Sequence, residues 1–236
     1  NPEKNLATEV ISSDGVTLGK YAFKNRTPVG FKDLPDNLVN ALIATEDERF
    51  YEHSGIDFRG LARAIVKLGK GGGASTITQQ LAKNLFNKGG SSSTLKRLTQ
   101  KVKEYILATK LERQYTKNEI VAMYLNTQGF LFNAIGIRSA SRIYFGKEPK
   151  DLDIQESAIL VAMLKNPRQF NPNREISKKK SLTRRNVVFA QMAKNEFITQ
   201  EEKDSLQKLP LKINFTPESH NDGLATYFRE YLRGYL

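Results

Sequence analysis

The sequence predicts a mainly α-helical protein with one minor β-hairpin at its N-terminal end. Three observations predict it. From residue 35 to residue 192 apolar side chains recur at three- and four-residue spacing, the period of helices with one buried face. Helix-start chemistry precedes several of these stretches: Thr76 with Gln79, Thr116 with Glu119, and Asp153 with Glu156. Only residues 7–23 depart from this, with Val10, Val16 and Leu18 placed around the turn sequence Ser13-Asp14-Gly15.

Taken in order, Pro35-Asp36 opens a first helix whose apolar face is Leu38, Val39, Leu42 and Ile43, and which runs into Glu46. Asp57 caps a second, with Phe58, Leu61, Ile65 and Leu68 on one face and the basic stripe Arg59, Arg63, Lys67 on another. Lys70-Gly71-Gly72-Gly73 ends it, and Thr76 restarts a helix toward Asn84. Asn87 to Thr94, rich in Gly and Ser, reads as a mobile loop. A long helix follows from Leu95, with Leu98, Val102, Ile106, Leu107 and Leu111 as its apolar stripe. Thr116 opens the next helix, through Ile120, Met123, Tyr124 and Leu125. A loop and a short helix lead to Tyr144-Phe145-Gly146-Lys147, and Asp153 starts an apolar helix that stops near Lys165-Asn166-Pro167. Lys178-Lys179-Lys180 reads as a solvated loop before a helix over Ser181–Met192, with Arg184 and Arg185 near its start. Pro210 to Pro217 reads as a linker, and no internal repeat is evident.

The chain's 236 residues suffice for a sizeable core. Lys and Arg outnumber Asp and Glu by 37 to 25, a net charge of +12, which favours polyanionic partners: nucleic acid, anionic lipid headgroups or phosphorylated substrates. No nucleic-acid-binding motif accompanies the charge, so nucleic acid is not an expected partner. The absence of cysteine excludes disulfides and thiolate metal sites, and two histidines, His53 and His220, cannot build a His-rich one. No apolar run approaches the ~20 residues that span a bilayer. The abrupt start Asn1-Pro2-Glu3 reads as a domain cut from a longer chain, which leaves room for a membrane anchor outside it.

Two segments carry the chemistry. In the first, Glu46 to Asp57, Glu46 reads as a general base, held by Asp47 and His53 and walled by Phe50. His53 lacks a Ser or Cys partner of recognisable pattern and reads as a hydrogen-bonded structural histidine. In the second, Gly73 to Asn84, free N–H groups at the helix start together with Lys83 suit phosphate oxygens. The glycines are not a P-loop, because the Gly-Lys-Ser/Thr ending is missing. Lys101 and Glu104, at i, i+3, read on their own as a surface ion pair.

Five blocks in order resemble the peptidoglycan glycosyltransferase domain of class A penicillin-binding proteins: Glu46-Asp47-x-x-Phe50-x-x-His53-x-Gly55; Gly73-x-Ser75-Thr76-Ile77-Thr78-Gln79-Gln80-x-x-Lys83-Asn84; Lys101-x-x-Glu104 with Leu111-Glu112; Tyr124-Leu125-Asn126 with Gly136 and Tyr144-Phe145-Gly146-Lys147; and Pro167, Asn171-Pro172 and Arg184-Arg185. The resemblance implies a lysozyme-like helical globular lobe with a small membrane-associated lobe. It divides the chain into a glycosyltransferase domain, 1–210, in which 57–95 form the membrane-proximal lobe and mobile loop, and a linker, 211–236, toward a transpeptidase domain.

The implied reaction is polymerisation of lipid II into β-1,4-linked glycan, with inversion and release of undecaprenyl pyrophosphate. The resemblance makes Glu46 the base and sets Glu104 at the donor pyrophosphate, directly or through a divalent cation, Mg or Mn; no organic cofactor is implied. Lys83 and Lys101 would meet the leaving pyrophosphate. Asp47, Phe50, His53, Ser75, Thr76, Gln79, Gln80, Asn84, Asn126 and Arg185 complete the implied substrate site. Implied partners are lipid II, the nascent lipid-linked chain and an anionic membrane surface, at the extracytoplasmic face of a bacterial cell membrane. Two positions depart from the family pattern: Gln100 stands where Arg is usual, and Leu131 where Gly is usual. Alternatives are a lytic, lysozyme-like peptidoglycan-cleaving enzyme and a degenerate scaffold domain.

Overall fold

The computed structural model describes residues 8–15, 17–21, 28–66, 75–86, 94–216 and 231. The expected loop over residues 87–94 lies outside them except for Thr94, as do the glycine link at 70–73, Lys67, Leu68 and, apart from residue 231, the expected linker beyond residue 216.

The N-terminal hairpin pairs β1 (Thr8–Ile11) antiparallel with β2 (Thr17–Tyr21), with a register shift at Val10/Ile11. All other regular structure among the described residues is helical, apart from an isolated bridge between Gly129 and Ile135. α1 (Asp36–Glu46) starts after Pro35 and buries Leu38, Val39, Leu42 and Ile43, as its spacing predicts. α2 (Phe58–Val66) is capped by Asp57, whose Oδ1 accepts the Gly60 N–H at 2.9 Å. α3 (Ile77–Phe86) and the 21-residue α4 (Thr94–Gln114) follow. α5 (Lys117–Thr127) and α7 (Ile154–Leu164) both begin with complete capping boxes, from Thr116/Glu119 and Asp153/Glu156. Between them lies α6 (Ile137–Phe145), ended by Gly146 in the left-handed region.

α7 is buried on nearly every side, from Ser157 to Met163, as expected of a helix that is apolar all round. α1 packs against α7 and α8 (Glu175–Lys194), and α3 against α4 and α5. Phe50, Ile77, Leu81, Tyr124 and Phe189 join these layers in one core.

Four expectations change. α8 runs from Glu175 to Lys194, so Lys178-Lys179-Lys180 is an exposed helical turn and Arg184-Arg185 sit mid-helix. α9 (Gln200–Lys208), capped by Thr199 and Glu202, was not expected at all. On α4 the expected stripe splits: Leu98, Val102 and Ile106 are 50–63% exposed, while Leu111 is buried and Leu107 packs against the core, on the side where Glu104 and Ala108 also face in. Finally, residues 211–216 lie against the core. Asn214 and Thr216 donate their N–H groups to the Tyr144 and Ile143 carbonyls of the last turn of α6, and Phe215 packs on Phe132 and Tyr144.

Candidate active site

Glu46 is the last residue of α1 and opens onto a cleft of about 710 Å³. The facing walls are Arg63 of α2, Ser75, Thr76 and Gln80 at the start of α3, Lys165 after α7, and Arg184, Gln191 and Lys194 along α8. The chain leaves helical geometry at Asp47 (φ −160°, ψ 75°), so these adjacent carboxylates have different surroundings. Glu46 Oε2 accepts from Gln80 Nε2 at 3.1 Å. Asp47 Oδ2 accepts the Ile77 N–H at 3.0 Å, and both its oxygens meet His53 Nε2, at 3.0 and 3.1 Å.

His53 Nδ1 accepts the Gly55 N–H at 3.2 Å, so Nε2 carries the hydrogen given to Asp47. With both ring nitrogens engaged, His53 holds the loop in place. Gly55 is the junction of the first three blocks. Its carbonyl accepts from Thr76 Oγ1 at 2.8 Å and Gln79 Nε2 at 3.0 Å, and it lies against the Ala108 backbone with φ +90°. The Thr76 hydroxyl also accepts the Gln79 N–H at 3.1 Å. The reciprocal half of the expected capping box is missing, because the Gln79 amide turns to Gly55 instead.

Lys101 and Glu104 are no surface pair. Glu104 is 4% exposed; Lys101 Nζ donates to Glu104 Oε2 and to Ser75 Oγ, both at 2.8 Å. Ser75 lines the cleft, so the pair is tied to the same wall as Gln80. Gln100, where the family pattern has Arg, donates an uncharged amide to Glu104 Oε1 at 3.3 Å.

Beyond Glu46, the carboxylates in the cleft wall are Asp47, Glu48 and Asp57. Glu48 accepts from Lys194 at 2.5 Å and Arg63 at 2.8 Å, and these bonds hold its carboxyl at about 2. For Asp57, burial pushes the pKa up, but the Arg49 guanidinium and the Gly60 N–H outweigh it and the net shift is downward. The expected basic stripe on α2 therefore splits: Arg63 turns into the cleft, while Arg59 is 84% exposed.

Other expected site residues lie behind the cleft or beside it. Phe50 is enclosed under His53, with Lys117 Nζ 4.3 Å above its ring. Lys117 also bonds the His53 carbonyl at 2.6 Å and Glu112, which accepts from Thr78 at 2.6 Å. Asn126 spends its whole amide on the Val29 backbone, at 3.0 and 2.9 Å. Arg185 is fully buried and donates to the Leu209 carbonyl at 2.8 Å, clamping the chain after α9; burial lowers its pKa. Phe50, Gln79 and Arg185 thus have no face free for substrate and lie behind the walls, while Asn126 is half-buried and outside the cleft lining. Lys83 and Asn84 are exposed on α3 but do not line the cleft.

Among the described residues no group of three or more His, Asp or Glu could hold a metal ion. Glu104 supplies a single carboxylate with both oxygens hydrogen-bonded, so a cation held by protein ligands alone does not fit.

Glu48, Arg63 and Lys194 were not expected as a cluster; 146 residues separate Glu48 from Lys194, and no local pattern joins them.

The family described as Transglycosylase matches residues 14–193. Penicillin-binding protein 1A of Haemophilus influenzae is 38% identical over 211 residues, covering 88% of this chain and 24% of its own. The Escherichia coli protein of the same name is 39% identical over 214 residues, covering 89% and 24%. Penicillin-binding protein 1F of Bacillus subtilis is 36% identical over 227 residues, covering 94% and 31%. The chain therefore spans about a quarter to a third of the length of these curated relatives. The crystal structure of Penicillin-Binding Protein 1A from Haemophilus influenzae superposes with a TM-score of 0.53 at 24% identity, over 99% of this chain and 24% of that one. The mainly α, lysozyme-like fold is thus the one found. With the matched span enclosing α1 through all but the last residue of α8, and every cleft-lining residue except Lys194, the chain belongs to the transglycosylase family.

Proposed function

We propose that this chain is an inverting glycosyltransferase that polymerises lipid II. Glu46 takes the proton from the acceptor sugar's 4-hydroxyl as that oxygen attacks C1 of the lipid-linked donor. The bond from C1 to the pyrophosphate oxygen breaks, the electron pair leaves with undecaprenyl pyrophosphate, and a β-1,4 bond forms. Pyrophosphate needs countercharge rather than a proton, and Lys101, beside Ser75 at the cleft wall, supplies it.

The observation that carries this reading over a lytic one is the state of the carboxylates around Glu46. A glycosidase must give a proton to its leaving oxygen, so with Glu46 as the base another carboxyl would have to hold that proton at working pH. Asp47 is engaged by His53 and the Ile77 N–H. Glu48 and Asp57 are both driven toward the ionised form. One base with no general acid suits a leaving group that departs as an anion.

The membrane surface is part of the same proposal. Phe58 and Val66 on α2, Phe86 on α3, and Leu98, Val102 and Ile106 on α4 are all at least half exposed. Exposed apolar residues on three helices of a chain with net charge +12 suit anionic headgroups over an apolar layer. No helix among the described residues is long and apolar enough to cross a membrane. The full-length protein would add an anchor and a transpeptidase domain, at the extracytoplasmic face. A divalent cation, Mg or Mn, would be held by Glu104 together with the substrate's pyrophosphate and supply further countercharge. No organic cofactor is invoked.

Labelled lipid II in detergent tests the reading, with wild type beside Glu46→Gln. Glycan chains from the wild type and none from the variant are expected. Release of fragments from purified cell walls would instead support the lytic alternative, and no reaction from either protein a scaffold.

A further inference from the structure

Tyr124 is a fully buried phenol in the middle of α5, and core packing alone does not require its hydroxyl. That hydroxyl lies 3.1 Å from Gln80 Oε1, and Gln80 Nε2 lies 3.1 Å from Glu46 Oε2. The direction of both bonds follows from the groups themselves. A carboxylate only accepts, so the amide presents its NH₂ to Glu46 and its carbonyl to the phenol, which must donate. Burial, and secondarily the charge of Glu46, raise the Tyr124 pKa, so the phenol keeps its proton.

We infer that Tyr124 is a positioning residue for the transfer reaction: it holds the Gln80 amide in one orientation, which pins one oxygen of Glu46 and leaves the other to take the acceptor's proton. Without the phenol, Gln80 is free to turn its carbonyl toward Glu46, where two acceptors repel and the carboxylate shifts. The inference rests on Glu46 being the base. Small displacements of a reacting group cost up to about a hundredfold in rate, and loss of a single orienting hydrogen bond is expected to cost about tenfold.

The test is a double-mutant cycle on lipid II polymerisation: wild type, Tyr124→Phe, Gln80→Leu and both, with Glu46→Gln alongside. Tyr124→Phe should lower kcat about tenfold and leave KM within about twofold, since the phenol never reaches the cleft. Gln80→Leu should lower kcat at least as much, and Tyr124→Phe should add nothing to it, because both act through one chain of bonds. Wild-type kcat in Tyr124→Phe, or an effect that adds fully to that of Gln80→Leu, overturns the relay while an inactive Glu46→Gln leaves the base in place. An active Glu46→Gln overturns both. If Tyr124→Phe does not fold, Gln80→Leu decides alone, and wild-type kcat there overturns the relay.

Discussion

Asp47 Oδ2 accepts the backbone N–H of Ile77 at 3.0 Å, so the residue beside the base anchors the helix that carries the second motif. Asp47 is 7% exposed and also takes the Nε2–H of His53. Asp47→Ala would leave two enclosed donors without acceptors. It is expected to cost about 2–4 kcal/mol, read by urea unfolding, and to abolish polymerisation because α3 is no longer held against Glu46. A variant of wild-type stability would show that water replaces the carboxylate.

Gly55 joins three blocks through space that only hydrogen can occupy. A Cβ there would lie 2.9 Å from the Ala108 carbonyl carbon and 3.0 Å from its oxygen, at φ +90°. Gly55→Ala must both strain its own backbone and push α4 away, at about 3 kcal/mol. Thermal unfolding should fall by roughly 6–12 °C. Gly15, at φ +84° with nothing nearby, is the control: Gly15→Ala carries the backbone strain without the clash and should fall by less.

The Glu48 carboxyl is held at about 2, against an ordinary value of 4.5, by Lys194 and Arg63. Its folded-state pKa is depressed, so its stabilisation is fully present above about pH 4.5 and is lost as pH falls toward about 2. The melting-temperature gap between wild type and Glu48→Gln should be flat above that window and close within it. A gap that stays constant down to the bottom of the window would mean that the ions contribute through packing alone.

Leu98, Val102 and Ile106 project from α4 where no described part of the chain covers them. Replacing all three by Ser should shift unfolding by less than about 1 kcal/mol, as for exposed positions generally. The same change should weaken binding to vesicles of anionic phospholipid several-fold, measured by co-sedimentation. Unchanged sedimentation would remove these side chains from the proposed membrane face.

What the sequence revealed, and what it hid, follows from the range of each interaction. Thr116 and Asp153 announce helices because a cap is chemistry within one turn, and both boxes form as spaced. The same pattern, Thr199 with Glu202, starts α9, but that helix buries no residue and so offered no apolar period to notice. The first turns of α8 are polar and mostly exposed, which concealed its true start at Glu175. Periodicity found α4 but only part of its inner face: Leu111 is buried and Leu107 packs on the core, while spacing alone does not say what covers Leu98, Val102 and Ile106. Glu46, Ser75 and Gln80 were legible as motifs; the Glu48–Lys194 contact was not, since only the folded chain brings those residues together. Leu131, in a position where glycine is usual, does not unmake its turn: Leu131, Phe132 and Asn133 all take positive φ, closed by the Ala134 N–H on the Leu131 carbonyl at 2.8 Å.

The run from Leu211 to Thr216 bears on where this protein can be cut. Two carbonyls at the end of α6 receive their hydrogen bonds from Asn214 and Thr216, and the Phe215 ring covers Tyr144 and Phe132. A fragment stopped at Pro210 would uncover two aromatic rings and strand both acceptors. Such a fragment should be more prone to aggregate, through a defect remote from the chemistry. An inactive truncation of that kind would report a damaged edge rather than a missing catalytic group, and the shortest cut that keeps the edge intact falls after Thr216.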